Sequence, residues 1–175
     1  MKLIVFSGLP ATGKSSIAEA VARESGIPLF AKDWLAATLK HLGIGYGESG
    51  SSMLGQAGYG LLTTLARRQL SLGQSAILDS VLSWESTRRR WRKIAADYGA
   101  GWYVIECICS DAALHRTLLA GRRYNIPGWQ ELAWTEVERV RAYYKPWDED
   151  HLILDAINPF ADNIQTALAY IGRST

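Results

Sequence analysis

Gly8-Leu9-Pro10-Ala11-Thr12-Gly13-Lys14-Ser15 lies between the apolar run Leu3-Ile4-Val5-Phe6 and the helix-like stretch Ser16-Ile17-Ala18-Glu19-Ala20-Val21-Ala22. A strand, a glycine-bounded loop ending in Gly-Lys-Ser and then a helix together form the phosphate-binding loop of nucleoside-triphosphate enzymes. Each part has a chemical reason. Gly8 and Gly13 let backbone N–H groups turn toward phosphate oxygens, and the N-terminus of the following helix adds its partial positive charge. Lys14 then reaches the β- and γ-phosphates as a point charge, and the Ser15 hydroxyl is placed to ligate Mg²⁺. Pro10, Ala11, Thr12 and Ser16 complete the expected nucleotide contacts.

Working outward, strand and helix patterns alternate to the end of the chain. Leu3–Phe6 reads as the first strand, Ser15–Glu24 as a helix stopped near Gly26, and Leu29–Lys32 as a short strand ending at Asp33. Trp34–Leu42 reads as a short helix. The segment Gly43 to Gly60 holds seven of the sixteen glycines and is expected to be a mobile loop running into a helix that ends near Leu72. Ala76–Asp79 is the next strand, Trp84–Tyr98 a helix, Trp102–Ile108 a strand, Ala112–Ala120 a helix, Leu152–Leu154 the last strand and Ile164–Ile171 a closing helix. Such alternation predicts a three-layer α/β fold: a five-stranded parallel sheet covered by helices on both faces, with ligands outside its carboxyl edge. Arg122 to Tyr144 stands out as an insertion, expected to be a lid: a loop around Asn125-Ile126-Pro127-Gly128, then the helix Trp134–Tyr144.

Composition agrees with one compact enzyme domain over residues 1–175. At 175 residues and 48% hydrophobic, the chain can bury a sizeable core and is neither disordered nor membrane-spanning in character. Met1-Lys2 leads directly into the first strand, so neither a signal nor a transit peptide is expected and a cytoplasmic location is the default. Cys107 and Cys109, at i and i+2 in an apolar strand, lack the spacing of a redox or zinc pair and read as small core residues. A net charge of +2 is too mild to argue for nucleic acid. The Arg88-Arg89-Arg90-Trp91-Arg92-Lys93 cluster reads as a solvated helix surface.

Several positions together resemble the small P-loop kinases: the phosphate loop at the first strand, Lys32-Asp33 after the second, Ile77-Leu78-Asp79-Ser80 after the third, and arginines before and inside a late insertion. The sequence is most similar to the AAA-type ATPase family that groups with polynucleotide 5′-kinases, zeta-toxin-like kinases and chloramphenicol phosphotransferase, over nearly the whole chain. The stretch Ile77 to Tyr98, with Thr87-Arg88-Arg89 and Trp91, is similar to the corresponding stretch of polynucleotide kinases. Those kinases commonly carry an arginine where this chain has Ala36 and a second acidic residue where it has Trp34, which points away from a polynucleotide end as acceptor. The resemblance implies ATP and Mg²⁺ as cofactors.

Asp33 is the expected general base, because a carboxylate there can bind an acceptor hydroxyl and take its proton; the alternative is a helix N-cap. Asp79, at another strand end, is expected to hold a Mg²⁺-bound water opposite Ser15 or to contact the acceptor; the alternative is a carboxylate satisfying loop N–H groups. Arg116, Arg122 and Arg123 are the lid candidates, since an arginine on a closing segment neutralises the charge of the transferring phosphoryl group. Arg116 and Arg122 join Lys14 and Asp33 as expected catalytic residues. Tyr46 and Tyr59 are expected to line the acceptor side. Trp84 and Trp91, seven apart, are expected to pack on one helix face, as Trp129, Trp134 and Trp147 are expected to pack in the lid half. His41, His115 and His151 form no ligand spacing, and His115 reads as a partly buried histidine. The reading is a kinase that moves the γ-phosphoryl group of ATP to a hydroxyl of a small-molecule or nucleoside-like acceptor. A polynucleotide 5′-hydroxyl kinase is the alternative, and a regulatory nucleotide-binding ATPase without an acceptor is the alternative of another class.

Overall fold

Every side chain of Leu3–Phe6 is fully buried, but consecutive residues point to opposite faces, so this strand supplies two cores. The computed structural model describes residues 1–44, 50–123, 125–127, 129 and 131–172, with backbone alone at 50–52. β1 (Lys2–Ser7) sits at the centre of a five-stranded sheet of order β2-β3-β1-β4-β5, in which β2 is Leu29–Ala31, β3 Ala76–Asp79, β4 Gly101–Ile108 and β5 Leu152–Asp155. All pairings are parallel. Leu3, Val5, Leu78 and Val104 form one core with Leu62, Ala66 and Leu70 of α3 (Gly50–Ser71) and Trp91 and Ile94 of α4 (Glu85–Asp97). Ile4, Phe6, Ile77 and Ile105 form the other with Ile17, Ala18 and Val21 of α1 (Lys14–Ser25) and Ile164, Ala167 and Ile171 of α7 (Phe160–Gly172). The fold is therefore the expected three-layer α/β arrangement, with every strand ending on one edge.

Three elements differ from the sequence expectation. α2 (Lys32–His41) begins directly after β2, so Asp33 lies in the first turn of a helix and not at a strand end. The strand that carries Asp33 is expected beside the one that carries the phosphate loop, but β3 separates β2 from β1. The glycine-rich segment is helical from Gly50 onward, while residues 45–49, including Tyr46, lie outside the described residues. Glycine disfavours an isolated helix, but packing overrides propensity here. A Cβ on Gly58 would come within 3.1 Å of Lys32 Cγ, so glycine lets α3 approach the start of α2.

α5 (Ala112–Gly121) precedes the insertion, and α6 (Trp134–Tyr143) is the helix expected within it. In the basic cluster on α4, Arg89, Arg90, Arg92 and Lys93 are exposed as expected, and Arg88 is the exception. Arg88 is 5% exposed, donates to the carbonyls of Leu82, Lys145 and Pro146, and stacks on Trp147 at 3.9 Å. Trp91 is buried as expected, whereas Trp84 precedes the helix and is exposed. Trp147 is buried as the packing expectation has it, and Cys107 is a core residue whose thiol burial pushes up to about 12. Among the described residues no helix is long and apolar enough to cross a membrane.

Candidate active site

Register decides what meets what at the carboxyl edge. Asp79 pairs across the sheet with Phe6, two residues before Gly8, and with Ala31, the residue before Lys32. One carboxylate thus stands between the loop after β1 and the first turn of α2.

The loop itself is shaped by close approach. Gly8 has φ 133°, and a Cβ there would lie 2.1 Å from the Cys107 carbonyl oxygen of β4. Backbone contact, more than freedom to turn, is what demands glycine at this position. Gly13 caps α1 in the left-handed conformation, with no side chain capping the helix. Ala11 also has positive φ, at 63°. Thr12 closes the turn by donating from Oγ1 to the Leu9 carbonyl at 2.9 Å. Lys14 opens α1 and is 5% exposed.

Two clefts meet at this loop. The first, about 360 Å³, runs from Ala11, Gly13 and Lys14 to Thr117, Leu118 and Gly121 of α5. The second, about 410 Å³, holds Asp33 and Asp79 with an apolar wall of Phe30, Trp34, Leu35 and Ile126. Ser15, Ser16, Arg122 and Arg123 line both. An anion bridging the clefts would lie against hydroxyls on one side and guanidinium groups on the other.

The two carboxylates are in opposite electrostatic states. Burial would raise the Asp33 carboxyl, but Lys32, Lys14 and Arg122 outweigh burial and hold it below the usual carboxylate range. Lys32 Nζ lies 3.0 Å from Asp33 Oδ1 and 5.9 Å from the Tyr59 ring centroid. Burial opposes the Lys32 charge, yet Asp33, Tyr59 and Asp79 together raise its pKa. At Asp79 burial wins, and the carboxyl is raised despite Lys14, the Ser15 hydroxyl and Arg122. Its Oδ1 is buried with no hydrogen-bond partner.

That unpaired oxygen, on a carboxyl that also interacts with the Ser15 hydroxyl, fits a hydrated divalent cation. Mg²⁺ keeps several waters and is held by one or two carboxylates plus substrate phosphates, so it needs no cage of protein ligands. Among the described residues no cluster of three or more His, Cys, Asp or Glu side chains is suited to a metal. Asp79 is raised in the folded chain, so its buried charge costs stability above the folded pKa and costs nothing once it is protonated in both states. Asp79→Asn is therefore expected to raise the melting temperature of the ligand-free protein at neutral pH by roughly 2–4 °C for each kcal/mol relieved. The gain should shrink as pH falls through the raised pKa toward about 4. Calorimetric melts at neutral and acidic pH check this, and a variant that melts below wild type at neutral pH would contradict it.

The remaining expected residues divide. Arg122 and Arg123 flank the clefts; Arg123 also donates to the Ala120 and Arg122 carbonyls. Arg116 lines neither cleft: it stacks on Trp134 at 4.2 Å and lies 3.8 Å from Glu138. Asp33 is not a helix cap, since Ala31 occupies that position without a side-chain bond. Tyr59, expected on the acceptor side, lines neither cleft: it accepts from the Leu82 N–H at 2.9 Å and packs against the core near Trp91. His115 is 1% exposed and bonded to the phosphate loop, more deeply built in than its sequence signal implied. Sequence reasoning missed Lys32 as the partner of Asp33, although the two are adjacent; it also missed Trp34 as a cleft wall and Arg141 of α6.

Comparisons with known proteins bear on the family and the fold. Residues 3–146 match the family model AAA_33, described as an AAA domain. No curated protein matches the chain. Among solved structures, a sugar kinase from Janibacter sp. HTCC2649 superposes with a TM-score of 0.73 at 16% identity, covering 98% of this chain and 94% of that one. A gluconokinase from Sinorhizobium meliloti 1021 gives 0.71 at 17% identity, covering 98% and 92%. An APS kinase from Mycobacterium tuberculosis, solved in complex with AMPPNP and APS, gives 0.58 at 20% identity, covering 98% of both chains.

Proposed function

The chain belongs to the AAA domain family and has the fold of small P-loop kinases, and from that premise we propose that it is an ATP- and Mg²⁺-dependent kinase whose acceptor is a hydroxyl of a small-molecule or nucleoside-like compound. The observation that carries this reading is the joining of the two clefts along Ser15, Ser16, Arg122 and Arg123, one containing the phosphate loop and the other both carboxylates. A regulatory ATPase whose only acceptor is water needs no second cleft.

In this reading the first cleft takes the nucleotide, with Lys14 on the β- and γ-phosphates and the base toward Thr117 and Leu118. Ser15 and Asp79 Oδ1 would hold Mg²⁺, which supplies positive charge against the phosphate oxygens when bound. The acceptor hydroxyl, oriented by Asp33, attacks the γ-phosphorus. A new O–P bond forms, the bond to the β–γ bridging oxygen breaks, ADP departs with that electron pair, and the hydroxyl proton passes to Asp33. Arg122 and Arg123 neutralise the equatorial oxygens. Asp33 is a weak base because Lys32 stabilises its charge, which suits phosphoryl transfer, where positioning supplies most of the rate.

The apolar wall of Phe30, Trp34, Leu35 and Ile126 favours an acceptor with a flat or apolar face. Arg88 counts against the polynucleotide alternative, because it is buried against backbone carbonyls, while Arg89, Arg92 and Lys93 pair with Glu85, Glu149 and Asp97. The test is transfer from labelled ATP to a panel of nucleosides, amino sugars, hydroxylated antibiotics and 5′-hydroxyl oligonucleotides at two salt concentrations. Labelling of a small acceptor with little salt dependence is expected. Labelling of oligonucleotides that falls steeply with salt would replace this acceptor class, and phosphate release that no acceptor stimulates would favour the regulatory ATPase.

A further inference from the structure

A third cavity, about 320 Å³, opens against Gly8, Leu9 and Thr12 of the phosphate loop, between β4, the start of α5 and the end of α6. Its walls carry His115, Glu106, Arg141 and Tyr144, none of which the proposed chemistry uses.

Two lines of hydrogen bonds cross this region, each joining α6 or the residue just after it to one end of the loop. At the apex, His115 Nε2 lies 2.8 Å from the Pro10 carbonyl oxygen, and His115 Nδ1 lies 3.5 Å from Arg141 Nη2. A carbonyl only accepts and a guanidinium only donates. Those two partners match the tautomer with hydrogen on Nε2. Its ring also meets Trp134 edge-on at 5.1 Å, and Trp134 is flanked by Arg116 and Arg141. At the base, Tyr144 donates to Glu106 Oε1 at 2.6 Å and accepts from Ser7 Oγ at 2.9 Å, and the Val81 carbonyl is the other acceptor in reach of that one serine hydrogen. Ser7 immediately precedes Gly8.

The apical contact has a specific consequence for the loop. A trans peptide unit is planar, with C=O and N–H pointing opposite ways. Turning the Pro10 carbonyl onto His115 aims the Ala11 N–H to the other side, and Ala11 lines the first cleft. Ala11 pays for this with a positive φ, strain that persists only where surroundings impose it. We propose that α6 is a fixed buttress of the phosphate loop and that His115 and Tyr144 are positioning residues, His115 aiming the Ala11 N–H at the nucleotide and Tyr144 anchoring the strand end. In this assignment α6 keeps its place against the loop whether or not a nucleotide is bound. This assignment rests on reading the first cleft as the nucleotide site.

His115→Phe keeps the ring volume and removes both bonds, whereas His115→Gln keeps one donor and one acceptor. AMPPNP with Mg²⁺ is the probe, titrated by calorimetry. His115→Phe is expected to weaken binding about 10-fold, the size of one well-placed hydrogen bond, and His115→Gln to restore most of it. Equal affinity in wild type and His115→Phe would overturn the assignment; no AMPPNP binding by wild type would instead sink the nucleotide-site reading. Histidine nitrogen NMR on the ligand-free protein tests the geometry independently. The Nε2–H tautomer is expected for His115, with its Nδ1 signal altered in Arg141→Met, and a proton on Nδ1 would overturn the proposal even if every variant failed to fold.

Discussion

Lys14→Ala is expected to lower phosphoryl transfer by on the order of 10³-fold or more while the sheet remains folded. Lys14 is 5% exposed at the first position of α1, and its charge bears on Asp33 and Asp79 alike. In a cleft that excludes water, one ammonium facing developing negative charge is worth far more than in solvent. Its loss from the folded protein is tolerable because it belongs to neither apolar core. Asp79, already raised by burial, would be raised further without Lys14, whose charge opposes that rise. Steady-state transfer and a melting curve on the same preparation check both halves. A variant keeping more than about a tenth of wild-type turnover would remove Lys14 from the reacting phosphates.

The central strand and its loop were legible because their determinants are local. Leu3–Phe6, the two flanking glycines and Lys14-Ser15 are contiguous, and the physics that shapes them acts within a few residues. Asp79 was legible for the same reason, at the end of an apolar run. What escaped depends on partners distant in sequence. Arg88 reads as one more exposed cation until Lys145 and Pro146 supply carbonyls for its guanidinium. Gly50 to Gly60 reads as loop because glycine is a poor helix former in isolation, and only the approach of Lys32 to Gly58 shows what the small residue permits. Likewise, no local pattern tells that His115 reaches back over a hundred positions to the Pro10 carbonyl.

Asp33→Asn is expected to reduce transfer by about 10²- to 10⁴-fold and to leave ATP affinity nearly unchanged. The substitution keeps the size of the side chain and an oxygen for the acceptor hydroxyl, but removes the charge that Lys32 pairs with and the site that receives the proton. Lys32 survives the loss because the Tyr59 ring and Asp79 remain to favour its charge. The pH dependence separates Asp33 from a base tuned to neutrality. Its carboxyl is held below the usual range, so it is ionised throughout the neutral region. Its contribution to both rate and stability is present above the unfolded value of about 4 and is lost only as pH falls through the lower folded value. Wild-type turnover should therefore show no Asp33 limb between about pH 5 and 8, and Asp33→Asn should depress the profile without changing its shape there. A tenfold climb per pH unit across that range, present in wild type and absent from the variant, would mean that Asp33 titrates near neutrality. The Lys32 pairing would then have to open when the acceptor binds.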